Sequence, residues 1–411
     1  MKNHLNNEYA NWLNRNVIGM GLTSFFSDMG HEMATTILPG FLSTIGAPPF
    51  ALGIIEGFSD AISSFTKLLG GWISDKFGHR KILATIGYLT TGLSKAIFAL
   101  ATTWHLVFIG RVIAWFGRGF RGPIRDAMLT DSVDEMNRGK AFGFHRAGDT
   151  LGAIVGPIIG VWLLSVWQPF AIDDDSQPFR NVFLVTLIPG ILSVISFGVL
   201  IKEKRKDVNH NLKFWLTLKR LPKSFKNYLF GIGLFGMGDF APTFLILAAT
   251  TLLKQEYGII KAAQLSGVMY IVRNITYALF SFPIGAFSDR IKRVHLLIAG
   301  YLLAVLTVIG FAVAFVFNYT NLFYLFVLFA LAGIYIAAED TLESAITADY
   351  IESEKRGIAM GILGTVNGVG DFFASILIGL LWTAISPVTG FAVASLFMLI
   401  GTITLLLTRN K

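Results

Sequence analysis

Asp28, His31 and Glu32 fall at i, i+3 and i+4 in an otherwise apolar stretch, so on a helix they share one face. Two carboxylates and an imidazole so placed can pass protons, or present three ligands to a divalent metal. Glu56, Asp60 and Lys67 share a second face at spacings of four and seven. Arg111, Arg118, Arg121 and Arg125 follow at seven, three and four, a basic stripe suited to an anion or to act as counter-charge for coupling acids. Arg118 is the one nearest mid-span, and Arg121 and Arg125 are expected to pair with Asp75, Asp126 or Asp131 near the membrane surface. Arg146 and Asp149 are read as a structural pair. The later part of the chain offers Asp239, Arg273, Glu339, Asp340, Glu343 and Asp371. An ionisable group within an apolar segment is costly, so each is a candidate for proton coupling or ligand binding. Asp28 and Glu32, one turn apart, are the first candidates for the coupling proton, with Asp60, Asp239 and Glu339 next. No metal site is firm; Asp28, His31 and Glu32 are its candidate ligands.

The elements that must carry these groups are membrane helices. Of the 411 residues, 54% are hydrophobic and 15% charged, and the mean hydropathy is +0.62. Apolar blocks long enough to span a bilayer recur at 16–44, 50–74, 82–100, 105–131, 141–166, 181–201, 227–253, 262–288, 294–317, 322–349, 357–383 and 388–408. The expectation is an all-α integral membrane protein of twelve transmembrane helices. With the N-terminus inside, the cytoplasmic segments hold 23 Lys and Arg and the external segments three, namely Arg180, Lys254 and Lys261. That asymmetry puts both termini in the cytoplasm. The polar first residues read as a retained cytoplasmic tail and not a signal peptide. The net charge of +8 lies in these loops and does not suggest nucleic acid. There is no cysteine, which excludes disulfides, iron–sulfur clusters and thiolate zinc sites. The basic segment 202–226 reads either as an amphipathic helix lying on the inner leaflet or as a plain charged linker.

The halves repeat each other. Gly71 and Asp75 recur as Gly285 and Asp289, and Asp131, Arg138 and Gly143 recur as Asp349, Arg356 and Gly361. The expected division is a six-helix bundle at 1–201, a linker at 202–226 and a second bundle at 227–411. The turn Gly71-x-x-x-Asp75-Lys76-x-Gly78-x-Arg80-Lys81 resembles the signature between the second and third helices of the major facilitator superfamily. Gly71 allows close approach, Gly78 a tight turn, and Asp75 can accept hydrogen bonds from arginines. The resemblance implies the major facilitator fold and a cytoplasmic latch using Gly71, Asp75, Gly78, Arg80, Asp131 and Asp289. His79 stands where the family has a basic residue. The fifth block carries Gly143, Gly152, Gly156, Pro157 and Gly160, which resembles the glycine–proline motif of the antiporter branch, with Val161 in place of a last glycine.

The resemblance implies a secondary transporter driven by the proton gradient, without a cofactor, and by the glycine–proline motif an exporter. The many intramembrane charges favour a polar, zwitterionic or anionic cargo. The expected function is proton-coupled export of a small polar or amphipathic organic compound from a bacterial inner membrane, by a monomer bathed in lipid. The alternatives are a proton symporter importing a nutrient or siderophore, and a divalent metal exporter with a site like that of the ferroportins. A membrane-embedded enzyme or receptor finds no support, since no nucleophile–base motif or phosphate-binding loop is present.

Overall fold

The computed structural model describes residues 12–77, 79–172, 174–203, 222–351 and 356–408. Among the described residues fourteen α-helices run in chain order: α1 (Arg15–Thr44), α2 (Pro49–Phe77), α3 (Arg80–Leu100), α4 (Trp104–Thr130), α5 (Arg138–Trp167), α6 (Gln177–Val185), α7 (Leu187–Leu200), α8 (Lys223–Gly236), α9 (Thr243–Tyr257), α10 (Ile259–Ser288), α11 (Arg293–Val316), α12 (Leu322–Tyr350), α13 (Arg356–Ala384) and α14 (Pro387–Thr408). No strand occurs among the described residues. Helix is what an apolar chain must form in lipid, because every backbone donor and acceptor is then satisfied within its own segment.

The twelve expected segments are present, two of them interrupted. The sixth breaks at Thr186, between α6 and α7. The seventh, expected to be continuous over 227–253, unwinds between Gly236 and Thr243. Two glycines, Gly236 and Gly238, and Pro242 lie there, and the backbone is held by short turns such as Asp239 N–H to Gly236 O at 3.0 Å. Seven helical spans among the described residues are long and apolar enough to cross a membrane by composition alone. α1, α2, α4 and α10 carry the intramembrane charges or polar runs that interrupt such a pattern.

The helices group into two compact units. Met1–Ile37 with Ile62–Asn211 form the first, and Leu38–Ala61 with Leu212–Lys411 the second. The end of α1 and the start of α2 therefore belong with the C-terminal helices.

In the first unit, α5 lies against α1 through glycines at four-residue spacing. A Cβ on Gly152 would sit 2.5 Å from Phe25 O and 2.9 Å from Met29 N, and one on Gly160 3.2 Å from Met33 O. Gly148 and Gly156 make the same approach to Gly21 and Met29. In lipid, helix association relies on this close packing, because the apolar tails supply no hydrophobic drive. Val17, Met20, Tyr88, Ile124, Phe197 and Ile201 fill a core toward one end of the unit. In the second unit, Phe235 stacks on Tyr301 with centroids 3.5 Å apart, and Phe240, Phe311, Phe315 and Trp382 surround Phe391.

Candidate functional site

The first unit holds a basic cluster. α1 presents Ser27, Asp28, His31, Glu32 and Thr35 on one face, and α4 presents Arg111, Trp115 and Arg118 on the facing stripe. Arg118 Nη1 lies 3.1 Å from Asp28 Oδ1. Arg111 Nη1 donates to Thr35 Oγ1 at 3.2 Å, and its guanidinium lies 4.3 Å from the Trp115 ring. His31 packs against the same indole at 4.4 Å, with Nε2 3.9 Å from Glu32 Oε1. Arg121 donates from Nη2 to Ser27 Oγ at 2.7 Å and covers the Tyr88 ring at 3.9 Å. Lys95 of α3 is buried beside them.

Two expectations change here. Arg125 does pair with an acid, Asp126 at 2.9 Å, but Arg121 turns inward to a serine and a tyrosine ring. Asp149 lies 3.4 Å from His145 Nδ1, and His145 Nε2 is 2.5 Å from Ser24 Oγ, a buried relay that the sequence reading did not single out. Among the described residues, no group of three or more His, Asp or Glu side chains is placed to hold a metal ion. Asp28, a candidate metal ligand, is turned instead to Arg118.

The second unit holds an acidic cluster. Asp239 sits half-buried in the unwound stretch between α8 and α9 as a close neighbour of the buried Glu339 on α12, whose Oε2 is left without a hydrogen-bond partner. Glu343, one turn on, accepts from the Tyr301 hydroxyl and, at 2.7 Å, from Asn367 Nδ2. Asp340 accepts from Tyr277 Oη at 2.8 Å. Asp371 is a further charged neighbour of Glu339. Arg273, a charged neighbour of Asp239, bonds Asn274 at 2.9 Å and faces Tyr270 and Tyr277. Glu56 is buried and Asp60 half-buried, both in α2's share of this unit, whereas Lys67 is exposed.

The residues expected to form a latch divide. Arg80 pairs with Asp131 at 2.9 Å, and Glu203 accepts from the Arg80 amide at 2.5 Å. In the second unit Arg293 bridges Asp289 at 3.0 Å and Asp349 at 2.6 Å. These three line a cavity of about 470 Å³ with Lys292, His295 and Tyr350. The backbones of Gly71 and Asp75 lie in α2; their side-chain surroundings, and Gly78 itself, fall outside the described residues, as does most of the 202–226 segment.

A helical bundle with a duplicated arginine–aspartate pair and charges buried in its spans defines a class of membrane transporter. The Major Facilitator Superfamily profile matches residues 20–272 and 228–411, and the chain belongs to that family. An uncharacterized MFS-type transporter of Methanocaldococcus jannaschii is 32% identical over 98% of this chain and 96% of its own length. Multidrug resistance protein 1 of Bacillus subtilis is 24% identical over 87% of each chain. Among solved structures, a nucleoside transporter, NupG, superposes with a TM-score of 0.77 at 15% identity, covering 96% of this chain and 99% of that one. A POT family transporter in complex with 5-aminolevulinic acid superposes with a TM-score of 0.76 at 12% identity, covering 97% and 96%. The protein is thus an all-α, multi-pass membrane transporter with the major facilitator fold, not an enzyme.

Proposed function

We propose that the chain is a proton-coupled exporter of a small polar or amphipathic organic compound, working by alternating access in the plasma membrane with both termini in the cytoplasm. The observation that carries this reading is the cluster of neighbouring carboxyl groups in the second unit, with Asp239 beside the buried Glu339. Carboxylates buried side by side cannot comfortably all ionise, so such a cluster is suited to hold a proton. Asp239 lies in the stretch between α8 and α9, outside both helices. A proton held there in one conformation and released in the other is what coupling requires. Asp28, the first choice from sequence, is engaged by Arg118 and suits the role of a fixed ion-pair partner. Export is supported by the glycine seam of α5 and by relatives named for multidrug resistance. The orientation is supported by the distribution of basic residues.

The test is transport by purified protein in liposomes carrying an imposed pH gradient. Cargo should move against the direction of proton flow, and Asp239→Asn or Glu339→Gln should lose accumulation while still exchanging cargo without a gradient. Cargo moving with the protons makes the protein an importer. Normal accumulation by both variants removes the pair from coupling.

A further inference from the structure

We propose that the first unit contains an oxyanion subsite, formed by Lys95 of α3 with Arg111 and Arg121 of α4, which takes the carboxylate or phosphate group of the transported compound. α3 and α4 approach closely through glycine: a Cβ on Gly87 would lie 2.9 Å from Gly117 O and 2.8 Å from the Arg121 Cβ. This brings the Tyr88–Lys95 face of α3, residues two turns apart, alongside the arginine stripe. Lys95 is 2% exposed, Arg111 2% and Arg121 3%.

The charges in this cluster do not balance. The strongest charged neighbours of Lys95 are Arg121, Arg118, Asp28 and Arg111, and Asp28 is already bound to Arg118. Four cations (Lys95, Arg111, Arg118 and Arg121) face three carboxylates (Asp28, Glu32 and Asp149), and Asp149 also contacts His145. The next acid, Asp126, is paired with Arg125. Among the described residues no acidic side chain pairs with Lys95. Buried donors are also left over, among them Arg121 Nη1 and the Tyr88 hydroxyl, which have no acceptor.

Uncompensated positive charge and orphaned donors are both expensive in a membrane interior. One group relieves both costs, namely an anion with at least two acceptor oxygens, because guanidinium and ammonium together match carboxylate or phosphate geometry. Trp115, already under Arg111 and His31, offers an apolar wall for the rest of such a molecule. The inference rests on the transporter reading only in calling the anion cargo.

The experiment is thermal unfolding of the full chain in detergent at constant ionic strength, with inorganic phosphate, glutarate or extra chloride as the added anion. Phosphate or glutarate should raise the melting temperature by mass action, and chloride should not. The stronger of the two oxyanions identifies the group the cargo carries. In Lys95→Met and Arg121→Gln the apparent anion affinity should fall roughly tenfold or more, the size expected for one charge-assisted hydrogen bond. Lys95→Arg should keep the response. Without anion, Lys95→Met should melt higher than the native chain, because it removes a buried charge that lacks a partner. A lower melting point for Lys95→Met would make Lys95 a structural counter-ion and overturn the proposal. So would a full anion response in both neutral variants, an equal response to chloride, or no response to either oxyanion. No gradient enters this measurement. Anion binding without coupled accumulation would sink the exporter reading and leave the subsite standing, and coupled transport with no anion response would do the reverse.

Discussion

The two units carry their buried charge in opposite ways. In the first, α1, α3 and α4 surround an excess of cations, and Asp28 is paired with Arg118. In the second, Asp239, Glu339, Asp340, Glu343 and Asp371 lie near one another, with Arg273 a charged neighbour of Asp239. Excess cation in a membrane is relieved by binding an anion, whereas excess carboxylate is relieved by taking up protons. On the readings proposed above, the duplicated scaffold carries two chemistries: ligand recognition in one copy and proton handling in the other.

The largest expected effect tests that division directly. Asp239→Asn and Glu339→Gln should each abolish gradient-driven accumulation, while Asp28→Asn should retain coupling and, by freeing Arg118, tighten binding of an anionic cargo. Accumulation assays that give the opposite assignment would exchange the roles of the two clusters. A second contrast concerns stability. Glu343 is 2% exposed and satisfies both Tyr301 and Asn367, so Glu343→Ala should cost about 2–4 kcal/mol by leaving two donors unpaired. Glu343→Gln keeps an acceptor and should cost less than about 1.5 kcal/mol, the net value of one ordinary hydrogen bond. Denaturant unfolding in detergent separates the two, and equal losses would make Glu343 a charge site and not a hydrogen-bond hub. Third, Gly152→Ala pushes a methyl against the α1 backbone and should lower stability by about 1–3 kcal/mol. The same change at Gly143, where a Cβ meets nothing within 4 Å, should be close to neutral. The smallest effect belongs to the surface pairs. Arg80 and Asp131 have 12% and 25% exposed side chains, Arg293 and Asp349 29% and 56%. Arg80→Ala should cost about 1 kcal/mol and Arg293→Ala less than about 0.5 kcal/mol, and the transport rate should follow the same order. Equal slowing by both would mean that the two latches contribute alike despite their different burial.

Much of this was written in the sequence because its signals are periodic. The repeat aligned Asp131 with Asp349, and the structure gives each an arginine partner, Arg80 and Arg293. The glycines of the fifth span announced a close contact, and α1 is what they meet. Rotation of a helix about its own axis leaves no such trace. The stripe from Arg111 to Arg125 was evident, yet Arg121 turning to Ser27 while Arg125 pairs with Asp126 depends on angles that sequence does not fix. Lys95 was passed over although it is the lone charge between positions 82 and 100, a signal as strong as any that was used. His145 was hidden for a different reason: histidine reads as neutral, and its partners Ser24 and Asp149 come from two helices. The break in the seventh span had its cue in Gly236, Gly238 and Pro242, but apolar residues on both sides masked it.

That interruption carries a consequence for how the protein meets solvent deuterium. Within this span the amides of Gly238 and Asp239 reach back only three residues, to Phe235 O and Gly236 O, and Ala241 N–H leans on a side chain, the Ser375 hydroxyl, at 3.1 Å. Amides held by short turns and one hydroxyl open at lower cost than those in a continuous helix. Exchange at these amides, where a buried transporter helix would ordinarily be silent, becomes a clock for access of water to Asp239 that runs without any cargo being known.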